Sequence, residues 1–340
     1  MIIWNSAGRN QPIVTRESDA AVIRIDGLEL HCKDESELKK ANEILNYLQL
    51  MKMYYRIPPT EYENVIAKYL YQCTGLKMDW ENPRTIQEKI QWMKLYDSTP
   101  LKTLCADKFR SKDYVARKIG LEYVIPLLGV WDSPDEINLD ELPNQFVLKT
   151  NHGCGMNIIV KDKSKFDLES AKEKLRSWLA VDYGMFAFEF HYCKIPRKII
   201  AEEFIEISGD TPDYKFYCFN GEPKFMQYLS ERSTELRIDY FDLNWDHMDI
   251  CQPSYPPSKH PERIQKPKNF EMMIDLSKKL SESFSFVRVD FYEVNGKIYF
   301  GELTFTPAGG IFIHDPPEWN EKLGDMIQLP KKSEPFNPFK

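Results

Sequence analysis

The sequence has no long hydrophobic run. Its longest apolar stretch covers eight residues, from Val124 to Trp131, and includes a proline and a glycine. A helix needs about 20 apolar residues to cross a bilayer, so we expect no membrane-spanning segment. The first residues, Met1 to Asn5, lack the basic and apolar regions of a secretory signal. We therefore expect a cytoplasmic location.

The seven cysteines form no pattern of paired residues. They are scattered, without a Cys-x-x-Cys pair or a histidine cluster at zinc spacing. This excludes a disulfide framework and a structural zinc site, and we expect reduced thiols. Cys154 lies in a glycine-rich stretch, but no motif pairs it with a histidine base, so we interpret it as a structural thiol.

Several motifs of nucleotide and catalytic chemistry are also missing. The sequence has no G-x-x-x-x-G-K-S/T for a P-loop, no G-x-G-x-x-G for a dinucleotide fold, and no Ser/His/Asp pattern for covalent catalysis. The Asp-x-Asp motif of many metal-dependent glycosyltransferases is absent as well. A glycosyltransferase using a nucleotide sugar is therefore only a minor alternative.

The charge balance is slightly acidic. Among 340 residues, 45 lysines and arginines stand against 52 aspartates and glutamates, which gives a net charge of −7 at pH 7. This field repels nucleic acid and anionic lipid, so we expect small-molecule or saccharide partners. With 42% apolar and 29% charged residues, the chain is long enough for two or three globular cores.

Hydrophobic periodicity predicts helices early in the chain and mixed strands and helices later. The alternating segment Val22–Ile25 precedes a helical pattern from Asp34, and Thr85 with Glu88 forms a capping box. Strands are predicted at Tyr123–Leu128, Gln145–Thr150, Asn157–Val160, Lys198–Ile205, Asp213–Phe219, Lys224–Leu229 and Phe286–Leu303. We expect an N-terminal extension of unknown role, a helical region, a catalytic core and a proline-rich tail, at residues 1–55, 56–106, 107–330 and 331–340.

The most informative stretch is a predicted hairpin, Val287–Glu302, with its turn at Asn295–Gly296. Strand alternation puts Arg288 and Asp290 together on one face. A two-residue turn would send Glu302 to the other face, whereas a three-residue loop with a bulge at its glycine places Glu302 diagonal to Asp290. We expect the bulged loop, because two carboxylates beside an arginine then form a Mg²⁺ and phosphate site. An ordinary surface hairpin is the alternative.

Three lysines are candidates for phosphate binding. Lys149 ends a predicted strand that runs into a turn with two glycines, where backbone N–H groups can approach phosphates. Lys108 lies at the start of a predicted helix and Lys215 within a predicted strand. His152, in the turn after Lys149, either contacts a substrate or caps the turn, and we favour the second interpretation.

Taken together and in order, these stretches resemble the ATP-grasp superfamily, in particular the branch typified by teichuronopeptide biosynthesis enzymes. The resemblance covers about residues 60–330 and is carried by Asn82–Thr85, Glu88–Trp92, Ala106–Lys108, Leu142–Gly153, Asp213–Lys215, Phe219–Gly221, Val287–Phe291, Gly301–Leu303, Thr306–Pro307 and Asp315–Trp319. It implies an α+β fold that holds ATP between two α+β subdomains, here after a helical N-terminal region, with Mg²⁺ as the metal.

The resemblance also implies roles for individual residues. Lys108 and Lys149 match lysines that reach the α and β phosphates, Lys215 matches a basic residue near the γ phosphate, and Arg288 matches an arginine beside the transferred group. The hinge strand that reads adenine matches Glu202, Glu203, Phe204 and Ile205, and the ribose carboxylate matches Glu206 or Asp210. The Mg²⁺ ligands match Asp290 and Glu302. Thr304 stands where many members have asparagine, and its hydroxyl is a weaker metal ligand than an amide oxygen.

The reaction implied by the resemblance joins a carboxylate to an amine. ATP activates the carboxylate as an acyl phosphate, and a small amine or amino acid then attacks to give an amide. We expect the carboxylate to be a uronic acid of a capsular or cell-wall polysaccharide. A kinase acting on a sugar hydroxyl is the second hypothesis, and a non-catalytic binding protein is a further one. Candidate acceptor contacts are His152, Arg232, Arg237, Ala308 and Gly309, since arginine can engage a carboxylate bidentately.

Overall fold

The computed structural model describes residues 57–205, 212–231 and 234–338, and the backbone of three earlier strands. The chain divides into two compact units, Met1–Pro58 and Pro59–Lys340. In the first unit, an antiparallel sheet of order β1-β2-β3 is formed by Ile13–Glu17, Ala20–Ile25 and Leu28–Cys32. The alternating segment Val22–Ile25 lies in β2, and the helical pattern predicted from Asp34 lies outside the described residues.

The second unit begins with helices. Its α-helices are α1 (Tyr62–Thr74), α2 (Ile86–Tyr96), α3 (Pro100–Ala106), α4 (Ser111–Ile119), α5 (Leu168–Ala180), α6 (Tyr183–Phe186), α7 (Phe270–Ser281) and α8 (Glu318–Asp325). The predicted capping box is confirmed, because the Thr85 side chain accepts from the Glu88 N–H and the Glu88 carboxylate accepts from the Thr85 N–H. It fixes the start of α2.

Two antiparallel sheets complete the second unit. The first has the order β4-β7-β5-β6 and the second the order β10-β9-β8-β11-β12. Their strands are β4 (Leu127–Trp131), β5 (Phe146–Thr150), β6 (Asn157–Val160), β7 (Ile199–Glu203), β8 (Asp213–Phe219), β9 (Glu222–Ser230), β10 (Arg237–Asp242), β11 (Phe286–Val294) and β12 (Lys297–Thr304).

The sequence-based assignments of strands differ from this structure in two places. The strand predicted from Tyr123 starts only at Leu127, because a 3₁₀ turn occupies Leu121–Tyr123. Strand β10 was not predicted at all, and its polar residues explain why its alternation is hard to recognise. The remaining predicted strands of the second unit are confirmed to within a few residues.

The five-stranded sheet packs apolar residues against α7 on one face and carries the site on the other. Phe216, Val287 and Val289 pack in one core with Phe270 and Leu280 of α7. Burial of such side chains stabilises the fold by about 1.5–3 kcal/mol each. Since side chains alternate along a strand, the residues between these apolar ones lie on the opposite face.

The four-stranded sheet also packs an apolar core on one face. Phe146, Leu148 and Ala201 form a core with Leu175 of α5, which leaves Lys149 and its neighbours on the other face. In the described part of the chain, no helix has both the length and the apolarity that a bilayer span requires.

Candidate active site

The β11–β12 hairpin turns over two residues, so the predicted three-residue loop is wrong. Val294 pairs with Lys297, and both turn residues, Asn295 and Gly296, have left-handed backbone conformations with φ of 54° and 76°. Two successive left-handed residues are typical of the type I′ turn, whose twist matches that of the strands.

The extra residue of the hairpin is Gly301, in the middle of β12. The register shifts between Phe291, which pairs with Phe300, and Asp290, which pairs with Glu302. This β-bulge places Glu302 directly opposite Asp290 rather than diagonal to it, with both side chains on one face. A Cβ atom on Gly301 would lie 3.1 Å from the carbonyl oxygen of Asp290, so the close approach of the two strands favours glycine.

Asp290 is the centre of a cluster of charges. The Arg288 guanidinium donates from Nε to Oδ1 and from Nη2 to Oδ2 of Asp290, both at 2.7 Å. Lys215 of β8 stands opposite Asp290 in the sheet and forms an ion pair with the same carboxylate. Asp290 is only 2% exposed, and a buried carboxylate needs such partners because an unpaired charge there is costly.

Thr304 connects Arg288 to Glu302. Its hydroxyl donates to Glu302 Oε1 at 2.9 Å and accepts from Arg288 Nη2 at 3.1 Å, while Arg288 Nη2 also lies 3.3 Å from Glu302 Oε1. Arg288 pairs with Thr304 in the sheet register, which explains the contact. The Thr304 oxygen therefore lies beside Glu302, where it orients the carboxylate.

Lys108 joins the two sheets at this point. Its Nζ donates to the carbonyl oxygen of Gly153 at 2.6 Å and lies 3.8 Å from Glu302 Oε2. Its backbone N–H donates to the carbonyl of Asn151 at 3.0 Å. The glycine-containing turn after β5 is thereby held close to the β11–β12 hairpin.

The electrostatics favour an ionised Glu302. Its burial alone would raise the pKa of the carboxyl, but the positive charges of Lys108, Arg288 and Lys215 outweigh this effect. Together with the Thr304 hydroxyl, they lower the pKa of Glu302 to about 2. Glu302 is also the more accessible of the two carboxylates, since about a third of its side chain is exposed.

A second group of charges lies on the four-stranded sheet. The buried carboxylate of Glu202 forms ion pairs with Lys149 on the adjacent strand β5 and with Lys112 of α4, the latter at 2.7 Å. Burial would raise the pKa of Glu202, but the two lysines lower it below its usual value. Lys112 was not predicted. In the sequence it lies four residues after Lys108, one turn into the helix predicted to start there. In the structure, α4 begins only at Ser111 and Lys108 lies in the turn before it.

The other residues of the predicted hinge strand are less enclosed. Glu203 is exposed, and Phe204 and Ile205 are half-buried. Glu206 and Asp210, the two candidates for the ribose carboxylate, lie outside the described residues, as does Arg232.

The structure places the predicted acceptor contacts in different regions. His152 is buried and its Nε2 contacts the carbonyl oxygen of Val181 at 3.1 Å, as the interpretation of a turn-forming residue expects. Arg237 does not join the site. In the register of β8, β9 and β10, Tyr240 lies on the face of Lys215, so Arg237, three residues before Tyr240, points to the opposite face, where it pairs with Glu235.

The remaining candidates, Ala308 and Gly309, lie in the short 3₁₀ segment Pro307–Gly310. This segment starts three residues after Thr304, at the end of the strand that carries Glu302. It is therefore next to the charge cluster in the chain.

The two opposed carboxylates suit a magnesium ion that is shared with phosphates. The described residues contain no group of three or more His, Cys, Asp or Glu side chains at metal-binding positions, which disfavours an all-protein metal cage. Mg²⁺ that acts with nucleotides is bound through one or two carboxylates, with phosphate and water oxygens completing its shell. Asp290 and Glu302 fit this type of site.

Each of the two sheets carries cations and carboxylates on the face away from its apolar core, and Lys108 joins the two groups. The sequence profile of the TupA-like ATP-grasp family matches residues 88–328. The chain therefore belongs to the TupA-like ATP-grasp family and has the ATP-grasp fold. The predicted family and fold class are confirmed.

Similar solved structures include D-alanine–D-alanine ligase from Bacillus anthracis complexed with ATP, with 19% identity over 66% of this chain and 63% of that chain, at a TM-score of 0.37. L-amino acid ligase from Bacillus licheniformis is 14% identical over 61% of this chain and 44% of that chain, with a TM-score of 0.39. The chain thus spans less than two thirds of the length of these enzymes. A search of curated protein sequences finds no match.

Proposed function

We propose that this protein is an ATP-dependent carboxylate–amine ligase that forms an amide through an acyl phosphate. The observation that carries the proposal is the direct opposition of Asp290 and Glu302, within contact of Arg288 and with Lys215 and Lys108 beside them. These are oxygen ligands for one metal ion and fixed cations for phosphate oxygens, gathered on one face.

The first chemical step joins the acceptor to phosphate. A carboxylate oxygen of the acceptor attacks the γ phosphorus of ATP, the bond to the β-phosphate oxygen breaks, and ADP leaves. Negative charge on the transferred group is stabilised by cations that are already in place, which is the main contribution that proteins make to phosphoryl transfer. Arg288 and Lys215 are the residues we assign to this role.

The second step forms the amide. A neutral amine attacks the carbonyl carbon of the acyl phosphate, the C–O bond to phosphate breaks, and the amine nitrogen loses a proton. The products are the amide and inorganic phosphate. No protein nucleophile is required, in agreement with the absence of a nucleophile motif from the sequence.

ATP would be held between the two sheets, with Lys108 and Lys149 on its phosphates and residues 202–205 along the adenine. Mg²⁺, held by Asp290 and Glu302, would neutralise phosphate oxygens, and Thr304 would orient Glu302. Residues 107–330 would then form the catalytic core and residues 56–106 a helical region in front of it.

We further propose that the acceptor is a uronic acid of a capsular or cell-wall polysaccharide, or its precursor, and that the enzyme acts in the cytoplasm. Support comes from the branch of the family, which is typified by teichuronopeptide biosynthesis, and from an acidic chain that disfavours nucleic acid as a partner. The amine would be an amino acid or another small amine.

The test is a product assay with glucuronate and galacturonate, each against a panel of amino acids, in the presence of Mg²⁺ and ATP. A ligase releases ADP and inorganic phosphate together, and only when carboxylate and amine are both present. A stable phosphorylated sugar without amine would instead show a kinase. Absence of ADP release with every pair, alongside binding of ATP, would overturn the uronic acid as the acceptor.

A further inference from the structure

The segment Thr306–Gly310 has an unusual backbone. Three successive residues, Ala308, Gly309 and Gly310, have φ values of 47°, 62° and 68°. A left-handed conformation is unfavourable for alanine, and a run of them persists only where the surroundings hold it. The contacts that hold this loop are therefore informative.

The main contact comes from a buried lysine of α2. Lys94 is 1% exposed, and its Nζ donates to the carbonyl oxygens of Gly309 at 2.6 Å and Ala187 at 2.8 Å, and to Gln91 Oε1 at 2.8 Å. Gln91, one helical turn earlier, donates from Nε2 to the carbonyls of Gly309 and Gly310 at 3.2 and 3.0 Å. Two side chains of one helix thus hold the loop by its carbonyl groups.

A buried carboxylate holds the other end of the loop. The Thr306 hydroxyl donates to Glu189, which is almost completely buried. Burial raises the pKa of Glu189, and the positive charge of Lys94 and the hydrogen bond from Thr306 offset part of this rise. The loop is therefore fixed between the buried Lys94 and the buried carboxyl group of Glu189.

We propose that Lys94 is a positioning residue for the acceptor, which it serves by holding the Thr306–Gly310 loop in the shape that receives the acceptor carboxylate beside Glu302. The inference rests on the function proposed above. Burying an ammonium group costs free energy that an apolar side chain would not require. Lys94 donates to the loop itself, to Gln91, which also holds the loop, and to Ala187 in the segment before Glu189. These three hydrogen bonds do not involve the charge cluster.

The experiment compares Lys94→Met with Lys102→Met. Lys102 is a matched control because it is also a buried lysine, 4% exposed, but it forms an ion pair with Asp97. Its Nζ lies 5.5 Å from the centre of the Phe305 ring, next to the loop, instead of binding the carbonyl groups of the loop. Each variant removes a buried ammonium group and leaves the groups that paired with it without their cation. KM values for ATP and for the most active uronic acid are measured for each, together with the melting-temperature shift given by Mg²⁺ and AMP-PNP.

In Lys94→Met we expect KM for the uronic acid to rise about tenfold to hundredfold, since misplacement of a positioning element by about 1 Å has effects of this size. The KM for ATP and the AMP-PNP shift should stay as in the wild type. Lys102→Met should lower the melting temperature without changing the uronic acid KM. Equal uronic acid KM values in the two variants would overturn the inference.

Two further measurements keep the outcomes distinct. If Lys94→Met does not fold, Gln91→Met is measured instead, because Gln91 also donates to the carbonyl groups of the loop. Its KM for the uronic acid should rise as well, but by a smaller factor than we expect for Lys94→Met. Hydrogen exchange of peptides that contain residues 306–311 should be faster in Lys94→Met than in Lys102→Met, and it requires no turnover. A wild-type protein that turns over no acceptor would contradict the proposed function, whereas unchanged exchange in the loop would contradict the role of Lys94.

Discussion

At the scale of single residues, the carboxylates of the charge cluster are paired with cations before any ligand binds. Asp290 carries one negative charge and is held by two cations, Arg288 and Lys215, whereas Glu302 is partly exposed and more weakly paired. An incoming metal ion therefore meets Glu302 first and must compete with Arg288 and Lys215 for Asp290. The two carboxylates are expected to differ when they are replaced.

Glu302→Gln should abolish Mg²⁺-dependent turnover of ATP while changing the melting temperature little, because the amide keeps the shape of the side chain and removes the charge. Steady-state ADP release and thermal unfolding check both parts. Glu222→Gln is a suitable control, since Glu222 begins β9 in the same sheet and forms an ion pair with a surface lysine, Lys278. Turnover near the wild-type rate in Glu302→Gln would show that the metal site is elsewhere.

Lys149→Met should remove the stabilisation given by ATP, because Lys149 is the cation that β5 presents beside Glu202. It should also leave Glu202 with Lys112 as its remaining ion-pair partner. The measurement is the melting-temperature shift with AMP-PNP, which reports binding to the folded state by mass action. Lys165→Met, at a lysine whose side chain is 84% exposed, should keep the wild-type shift, and an equal shift in Lys149→Met would refute the assignment.

At the scale of elements, the β11–β12 hairpin shows which features of the site could be predicted from the sequence and which could not. Alternation alone correctly put Arg288 and Asp290 on the face opposite Val287 and Val289, and the capping box correctly fixed the start of α2. The need for one extra residue in the hairpin was also recognised. Its position was not, because both Gly296 and Gly301 suit a bulge, and only the approach of Asp290 across the sheet distinguishes them.

The buried charged residues were not predicted, because their contacts are also made across the fold. Lys94 and Glu189 are polar residues in apolar surroundings, and periodicity assigns such residues to the surface. Their partners are distant in the sequence, 215 residues away for the contact of Lys94 with Gly309. Long-range contacts of this kind leave no local pattern.

Gly301→Val tests the bulge. A branched side chain there would meet the Asp290 carbonyl and the Tyr292 ring, each 3.1 Å from the position of the Cβ atom. We expect a loss of about 1–3 kcal/mol in the free energy of unfolding, together with a clear loss of turnover because Asp290 and Glu302 move apart. Urea unfolding and ADP release are the measurements. Gly301→Ala should show the same effects more weakly, and a stable, fully active Gly301→Val would show that the close approach is unimportant.

At the scale of the whole molecule, the three histidines that are buried among the described residues make the fold sensitive to acid. Burial, together with nearby positive charge at His152 and His191, lowers the pKa of His152 and His314 to about 4 and that of His191 well below its usual value. Near neutral pH all three are therefore uncharged in the folded protein. In the unfolded chain they bind protons below about pH 6.5.

The free energy of unfolding should consequently fall as the pH decreases from about 6.5 towards 4, because over this range the unfolded state binds more protons than the folded state. Each histidine contributes a slope of up to about 1.4 kcal/mol per pH unit. Urea unfolding at pH 7.5, 6.5 and 5.5 measures the slope. In His152→Gln, whose amide can still donate to the Val181 carbonyl, the slope below pH 6.5 should be smaller by about one histidine's share. The exposed His260 is the matched control, and a His260→Gln variant with as large a change in slope as His152→Gln would show that burial is not the cause.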